Sequence, residues 1–201
     1  MRLLILPKLY MRKKYLFLLS VIALLSCGNR ATSPTTAADA PNAVAQPVVY
    51  EHEFLVKPGD IAPDFRLPLT NGDTFTLSEQ RGKIVMLQFT ASWCGVCRRE
   101  MPHIEKDIWQ RHKNNPGFVL VGVDREESKD VVDEYTAKVG TTYPMALDTA
   151  ANAFASYAVR NSGITRNVLV GKDGRIVMLT RSFKEKEFNE LVATIDSLIA
   201  E

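Results

Sequence analysis

The stretch Trp93-Cys94-Gly95-Val96-Cys97 holds two of the three cysteines in the chain. The largely apolar run Ile84–Phe89 precedes it, and a helical pattern from Val96 to His112 follows it. These patterns predict a buried strand that ends just before the cysteines and a helix that begins with them. Two cysteines three positions apart on a first helical turn are close enough to form a disulfide.

A helix N-terminus changes the chemistry of a cysteine placed there. The unpaired N–H groups and the positive end of the helix dipole stabilise an anion. Cys94 is therefore predicted to form a thiolate readily and to act as the nucleophile. Cys97, one turn deeper, is predicted to be the resolving thiol. Arg98 and Arg99 are expected to help stabilise the thiolate.

Two other interpretations of the cysteine pair stay open. One is a static structural disulfide, although such bridges usually close longer loops. The other is half of a zinc site, for which the sequence has no second CxxC or Cys/His pair to complete four ligands. A C-x-x-C within a βαβ pattern favours a redox pair.

The first 26 residues differ in charge from the rest of the chain. All five of their charged side chains are basic, and without them the net charge falls from +2 to −3. Residues 15–26 form an apolar run of 12 residues, whereas a membrane-spanning helix needs roughly 20. A basic cluster before a short apolar run is typical of a secretory signal peptide, which we predict for residues 1–26. The remaining chain offers no basic surface for nucleic acid.

The segment Leu24-Leu25-Ser26-Cys27 resembles the lipobox of bacterial lipoproteins. The resemblance implies that Cys27 is acylated and becomes the mature N-terminus, with enough lipid for stable anchoring. An ordinary cleavage site with an incidental cysteine is the alternative. Residues 27–53 are rich in Ala, Thr, Pro, Asn and Ser, which predicts a flexible tether. Residues 54–201 remain as the folded domain.

Residues 54–201 are enough for one sizeable core and are predicted to form an α/β domain. The turn pair Asn71-Gly72, between Phe65–Leu67 and Phe75–Leu77, predicts an N-terminal β-hairpin. Further strands are predicted at 84–90, 118–124 and 143–147, a second hairpin at 167–170 and 175–179, and helices at 96–112, 129–139, 151–158 and 184–200. Pro102 is expected to kink or shorten the first helix. This order fits a mixed central sheet flanked by helices.

Several segments together resemble the TlpA/ResA-like thioredoxins, which are membrane-tethered thiol–disulfide oxidoreductases of the bacterial envelope. The segments are Gly59-Asp60-Ile61-Ala62-Pro63-Asp64-Phe65, Gly82-Lys83, Trp93-Cys94-x-x-Cys97-Arg98-x-Glu100-Met101-Pro102 and Lys172-Asp173-Gly174-Arg175-Ile176-Val177. The resemblance covers residues 58–198. It implies a thioredoxin-like fold with an insertion, here at about 125–150.

The resemblance also implies roles for residues around the cysteines. Glu100 matches a glutamate that lies close to the sulfurs, where a carboxylate raises the pKa of a thiol and accepts the proton of Cys97. A solvated glutamate on the helix face is the alternative. Gln88 stands where other thioredoxins carry a buried aspartate, and its neutral amide leaves proton transfer to Glu100 or water. Trp93 is expected to shape client docking, with a core tryptophan as the alternative.

One position departs from the thioredoxin pattern. Thioredoxins place a cis-proline opposite the cysteine pair, and Thr165 stands there in this chain. A non-proline cis bond costs about 3 kcal/mol, so we expect the Ile164–Thr165 bond to be trans. Thr165 and Arg166 are assigned to substrate docking. Arg166 hints at peroxiredoxins, but Leu87 and Ala91 replace the Pro and Thr of the peroxidatic motif.

We therefore expect a catalytic set of Cys94, Cys97 and Glu100, with the disulfide as the redox group and no other cofactor. No metal is expected. A copper-delivery protein of this fold would need a histidine from a distant loop, and no histidine follows His112. The resemblance implies a lipid-anchored, periplasm-facing protein of the bacterial cell envelope that works as a reductase. Its partners would be exported cysteine-containing clients such as apocytochromes c and a membrane electron donor of the thiol-transfer type. A thiol peroxidase and a non-enzymatic binding module with a structural disulfide are the alternatives.

Overall fold

The computed structural model describes residues 47–201. The predicted signal peptide, Cys27 and most of the predicted tether lie outside these residues. Within the part of the chain that is described, no helix is both long and apolar enough to cross a membrane.

A small antiparallel hairpin precedes the main sheet. Its strands are β1 (Arg66–Pro68) and β2 (Thr74–Thr76). Gly72 lies in the connecting turn with φ +94°, a left-handed conformation that glycine adopts without steric cost. The N-terminal hairpin predicted from Asn71-Gly72 is confirmed.

The main sheet has five strands in the order β5-β4-β3-β6-β7. The strands are β3 (Ile84–Thr90), β4 (Phe118–Arg125), β5 (Met145–Asp148), β6 (Arg166–Val170) and β7 (Ile176–Arg181). β3, β4 and β5 are parallel, whereas β6 and β7 are antiparallel to their neighbours. The predicted mixed sheet is confirmed. Its parallel half consists of β3, β4 and β5.

Helices cover both faces of this sheet. They are α1 (Gly95–Ile104), α2 (Gln110–His112), α3 (Lys129–Val139), α4 (Asn152–Tyr157) and α5 (Glu185–Ala200). A π-helical turn over Glu105–Trp109 joins α1 to α2, so the helix predicted over 96–112 is interrupted three residues after Pro102. The span 125–150, predicted as an insertion, forms α3 and the edge strand β5.

The strand β3 lies at the centre of two apolar clusters. Val85, Leu87 and Phe89 pack in the cluster that contains α4 and the cysteines. Ile84 and Met86 pack in the other, with α1, α3 and α5. Every residue of β3 is buried, which explains its largely apolar sequence. The start of α1 therefore follows a strand that is packed on both of its faces.

The ordered fold begins before the predicted domain start at residue 54. The Tyr50 N–H donates to the Phe54 carbonyl at 2.7 Å, and the Val159 N–H donates to the Glu53 carbonyl at 2.9 Å. Arg166 Nη1 donates to the His52 carbonyl at 2.7 Å. The last residues of the predicted tether are thus held against the domain by hydrogen bonds to their backbone carbonyls.

Candidate active site

Cys94 and Cys97 form a disulfide where β3 ends and α1 begins, with their Cα atoms 5.3 Å apart. Cys94 is the N-cap of α1, and the Cys97 N–H donates to Cys94 Sγ at 3.2 Å. Cys94 is 8% exposed and Cys97 is fully buried. The sulfur nearest solvent therefore also receives an otherwise unpaired helix N–H, which favours its ionisation after reduction.

The turn before Cys94 is held from two sides. Glu127 accepts hydrogen bonds from the Ser92 N–H and from Ser92 Oγ, both at 2.6 Å. Arg98 Nη1 donates to the Ser92 carbonyl at 2.9 Å, and Arg99 Nη1 donates to the Gly95 carbonyl at 3.2 Å. The two arginines bind backbone carbonyls on either side of Cys94, and their effect on the thiolate stays a prediction.

Trp93 lies at the surface beside the disulfide, with 55% of its area exposed. The guanidinium carbon of Arg125 lies 5.2 Å from the centre of the indole ring, a distance at which cation and ring attract each other. The alternative of a core tryptophan is wrong. Client docking on Trp93 stays a prediction.

Thr165 lies directly against the disulfide. Its Oγ1 is 3.0 Å from Cys94 Sγ and 3.1 Å from Cys97 Sγ, and its side chain is 2% exposed. The Ile164–Thr165 peptide bond is trans, as expected. The structure therefore brings the Thr165 hydroxyl to both sulfurs. Because this side chain is buried, the structure does not support the surface docking role predicted for it.

Arg166 is fully buried. Its Nη1 binds the His52 carbonyl, its Nη2 donates to Ser162 Oγ at 2.8 Å, and its guanidinium carbon lies 4.4 Å from the ring centre of Phe54. Burial lowers the pKa of Arg166 to about 10. A buried side chain cannot meet a docked client, so the structure corrects the docking role predicted for Arg166.

Glu100 lies one turn beyond Cys97, on the same face of α1. It is 1% exposed, and its Oε1 accepts a hydrogen bond from Asn167 Nδ2 at 2.7 Å. Its Oε2 has no partner among residues 47–201. Burial raises the pKa of Glu100 from 4.5 to about 7, against the opposing effects of Asn167 and Gln88. The alternative of a solvated glutamate is wrong.

Polar side chains continue from Glu100 across the sheet. Asn167 Nδ2 also donates to Thr180 Oγ1 at 2.9 Å. Gln88, opposite Asn167 in the sheet, is fully buried and accepts from the Tyr143 hydroxyl at 2.6 Å. Glu100 is the carboxyl group of this buried row, and it lies one turn beyond Cys97 on α1.

Asp124 is a second buried acid, which sequence reasoning missed. It is fully buried, neither carboxylate oxygen has a hydrogen-bond partner among the described residues, and it pairs with Thr90 across β3 and β4. Burial raises the pKa of Asp124 to about 8, and the negative charge of Glu127 adds to this. An acidic residue ending the apolar run 118–123 was the available signal. Asn167, by contrast, gave no local signal of its contact with Glu100.

Residues 47–201 contain no group of three or more His, Cys, Asp or Glu side chains placed to hold a metal ion. The groups described around the disulfide are the two sulfurs, the Thr165 hydroxyl and, one turn further along α1, the buried carboxyl group of Glu100. A cysteine pair at the N-terminus of a helix, on a mixed sheet flanked by helices, defines a thiol–disulfide oxidoreductase of the thioredoxin-like fold.

Comparison with known proteins identifies the family. A model of the Redoxin family matches residues 57–195. The thiol-disulfide oxidoreductase ResA of Bacillus subtilis is 32% identical over 129 residues, which are 64% of this chain and 70% of ResA. The ResA of Halalkalibacterium halodurans is 31% identical, over 69% of this chain and 78% of its own. The chain belongs to the Redoxin family.

Solved structures agree with this assignment. A solution structure from Bacteroides thetaiotaomicron, named as a protein disulfide isomerase, is 54% identical with a TM-score of 0.72. It covers 74% of this chain and 94% of its own. A crystal structure from Chlorobium tepidum, named as the thiol:disulfide interchange protein DsbE, is 26% identical with a TM-score of 0.63 and covers 72% and 99%.

The buried carboxyl of Glu100 predicts a pH dependence of stability. A carboxyl whose pKa is raised on folding binds more protons when folded, so its contribution to stability is lost as the pH rises from 4.5 through about 7. We expect oxidised Glu100→Gln to match the wild type in urea unfolding near pH 4.5 and to exceed it above pH 7, by at most about 3 kcal/mol.

The exposed Glu79 provides the control, because Glu79→Gln removes a carboxylate that is already solvated. The difference between each variant and the wild type cancels the titration of Asp124, which all three proteins share. A constant difference between Glu100→Gln and the wild type from pH 4 to 9 would contradict the assignment.

Proposed function

We propose that this protein is a lipid-anchored reductase of the bacterial cell envelope that reduces disulfides in exported client proteins. The observation that carries the proposal is the asymmetry of the cysteine pair: Cys94 retains 8% exposure at the helix N-terminus, and Cys97 is fully buried behind it.

The first step of the exchange uses the reduced pair. The Cys94 thiolate attacks one sulfur of a client disulfide, so that a Cys94–client bond forms while the client bond breaks. The second client sulfur leaves as a thiolate and takes up a proton from solvent. The Cys97 N–H, which donates to Cys94 Sγ at 3.2 Å, stabilises the attacking thiolate before this step.

The second step releases the client. Cys97 loses its proton and attacks Cys94 Sγ, which forms the Cys94–Cys97 disulfide and expels the first client sulfur as a thiolate. Two electrons have then passed from the protein to the client. Glu100, held by Asn167 next to Cys97 on α1, takes the Cys97 proton, since a carboxyl with a pKa near 7 exchanges protons at neutral pH.

Exported proteins with accessible disulfides, apocytochromes c among them, are the proposed clients. The exposed Trp93 offers a flat apolar surface beside Cys94 on which an unfolded client segment can pack. A membrane electron donor of the thiol-transfer type would restore the reduced pair by the reverse exchange. The resemblance to the ResA-like reductases supports this direction of electron flow.

The membrane anchor is proposed from residues outside the described part of the chain. The short apolar run 15–26 ends at Ser26-Cys27, and acylation of Cys27 would hold the domain at the membrane. The intervening residues would then let the active site reach periplasmic clients.

Single-cysteine variants test the order of attack. Cys97→Ser removes the resolving thiol, so we expect it to accumulate a mixed disulfide between Cys94 and a client peptide, detectable by mass spectrometry. Cys94→Ser should form little such adduct and should lose insulin reduction. Equal adducts on Cys94 and Cys97 in the two variants would contradict the assigned roles.

The reduction potential of the pair tests the direction. In graded thiol–disulfide buffers, we expect the full chain to be half-oxidised at or below the potential of thioredoxin, about −270 mV. A potential near that of DsbA, about −120 mV, would make the protein an oxidant. A pair that does not cycle at all would support a structural disulfide instead.

Lipidation is tested separately by growth of expressing cells with radiolabelled palmitate. The wild-type chain and Cys94→Ser should both take up the label, and Cys27→Ser should not. Cys94→Ser controls for acylation of an arbitrary cysteine. Label retained in Cys27→Ser would exclude the proposed anchor without bearing on the exchange chemistry.

A further inference from the structure

The hydroxyl of Thr165 has one hydrogen to donate and two sulfurs to receive it. Oγ1 lies 3.0 Å from Cys94 Sγ and 3.1 Å from Cys97 Sγ. Sulfurs joined in a disulfide carry no hydrogen, so the hydroxyl must be the donor in these contacts. Because the side chain is 2% exposed, bulk water has little access to compete for this hydrogen.

The segment that carries Thr165 is fixed by arginine side chains. Arg125 Nη1 donates to the carbonyls of Arg160 and Ser162, at 3.1 and 3.2 Å. Arg166 Nη2 donates to Ser162 Oγ at 2.8 Å. Two buried guanidiniums therefore hold the loop that leads into Thr165, and they limit how far its hydroxyl can move from the sulfurs.

The backbone of Thr165 is also held from β7. The Ser182 N–H donates to the Thr165 carbonyl at 3.0 Å, and Arg181 Nη1 lies 3.4 Å from the same oxygen. The position of the hydroxyl is thus set by the fold on both sides and does not depend on the disulfide alone.

We propose that Thr165 is a catalytic hydrogen-bond donor that stabilises the thiolate of Cys94 and, later in the same cycle, that of Cys97. The inference rests on the proposed exchange at this cysteine pair and adds to it a residue that acts on the reacting sulfurs.

The negative charge moves from one sulfur to the other during the cycle. Thr165 can donate a hydrogen bond to either sulfur, because its hydroxyl contacts both. Before the first attack the charge is on Cys94, which then receives two donors, the Cys97 N–H and the Thr165 hydroxyl. Once Cys94 is bonded to the client, the charge arises on Cys97. A small rotation of the same hydroxyl then lets it donate its hydrogen bond to Cys97 Sγ. Thr165 keeps its proton throughout, so the electron and proton balance of the exchange is unchanged.

Proline at this position, which the resemblance to thioredoxins leads one to expect, has no side-chain donor. Threonine therefore provides a chemical function that proline lacks. A hydrogen bond to an ionised sulfur is stronger than one to a neutral sulfur, so Thr165 favours the thiolate over the thiol.

The test compares Thr165→Val, which keeps the branched shape and loses the hydroxyl, with Thr165→Ser, which keeps the hydroxyl. Each reduced full-length protein is alkylated with iodoacetamide over a range of pH, and labelling of Cys94 is followed by mass spectrometry. We expect the midpoint of Cys94 labelling to rise by about one pH unit in Thr165→Val and to stay near the wild-type value in Thr165→Ser.

Equal midpoints in Thr165→Val and the wild type would overturn the proposal. If Thr165→Val does not fold, as judged by thermal unfolding of the oxidised protein, Thr165→Ala against Thr165→Ser makes the same comparison. Faster labelling of Cys97 than of Cys94 in the wild type would instead show that the proposed order of attack is wrong. Failure of the donor and failure of the proposed function therefore give different results.

Discussion

Antiparallel pairing of β3 with β6 places Phe89 opposite Arg166, at the strand ends nearest the disulfide. The chain leaves the sheet at the end of β3 and enters it at the start of β6. The residues just beyond this pair therefore lie close together at the same end of the two strands. Cys94 follows the pair along one segment, and Thr165 precedes it along the other. The contacts between the Thr165 hydroxyl and both sulfurs depend on this register, since a slip by one residue would turn every side chain of β6 to the opposite face.

The same pairing explains why a charged side chain is buried in the centre of the molecule. Arg166 enters β6 directly after Thr165, and the alternation of the strand sends its side chain to the face opposite Asn167. Removing a guanidinium from water is costly. Hydrogen bonds to the His52 carbonyl and Ser162 Oγ and the nearby ring of Phe54 offset this cost. The charge thus ties the first described residues to the loop beside the active site.

Asn167, the next residue of β6, connects the sheet to the helix that carries the cysteines. Its amide binds Glu100 on one side and Thr180 on the other, so the carboxyl is positioned by the fold and desolvated by the core. Asp124, at the other side of β3, is buried without a hydrogen-bond partner among the described residues. Burial raises the pKa of both acids, but of the two it is Glu100 that contacts Asn167 and lies one turn beyond Cys97.

Local patterns were sufficient for much of the architecture. The apolar run 84–90, the turn pair Asn71-Gly72 and the repeat along 184–200 each describe an element whose residues are neighbours in the chain. The cysteine pair likewise predicted its own place at a helix N-terminus, because the strand before it and the helix after it are both visible in sequence.

The sequence by itself therefore determined the strands, the helices and the redox pair, since each depends on residues a few positions apart. Only the tertiary structure decided what surrounds the sulfurs. Thr165 contacts cysteines about 70 residues away, Asn167 binds Glu100 across 67 positions, and Arg166 is buried although its charge predicts exposure. Such contacts follow from strand register and from the balance between desolvation and hydrogen bonding. The spacing of nearby residues predicts neither the register nor this balance.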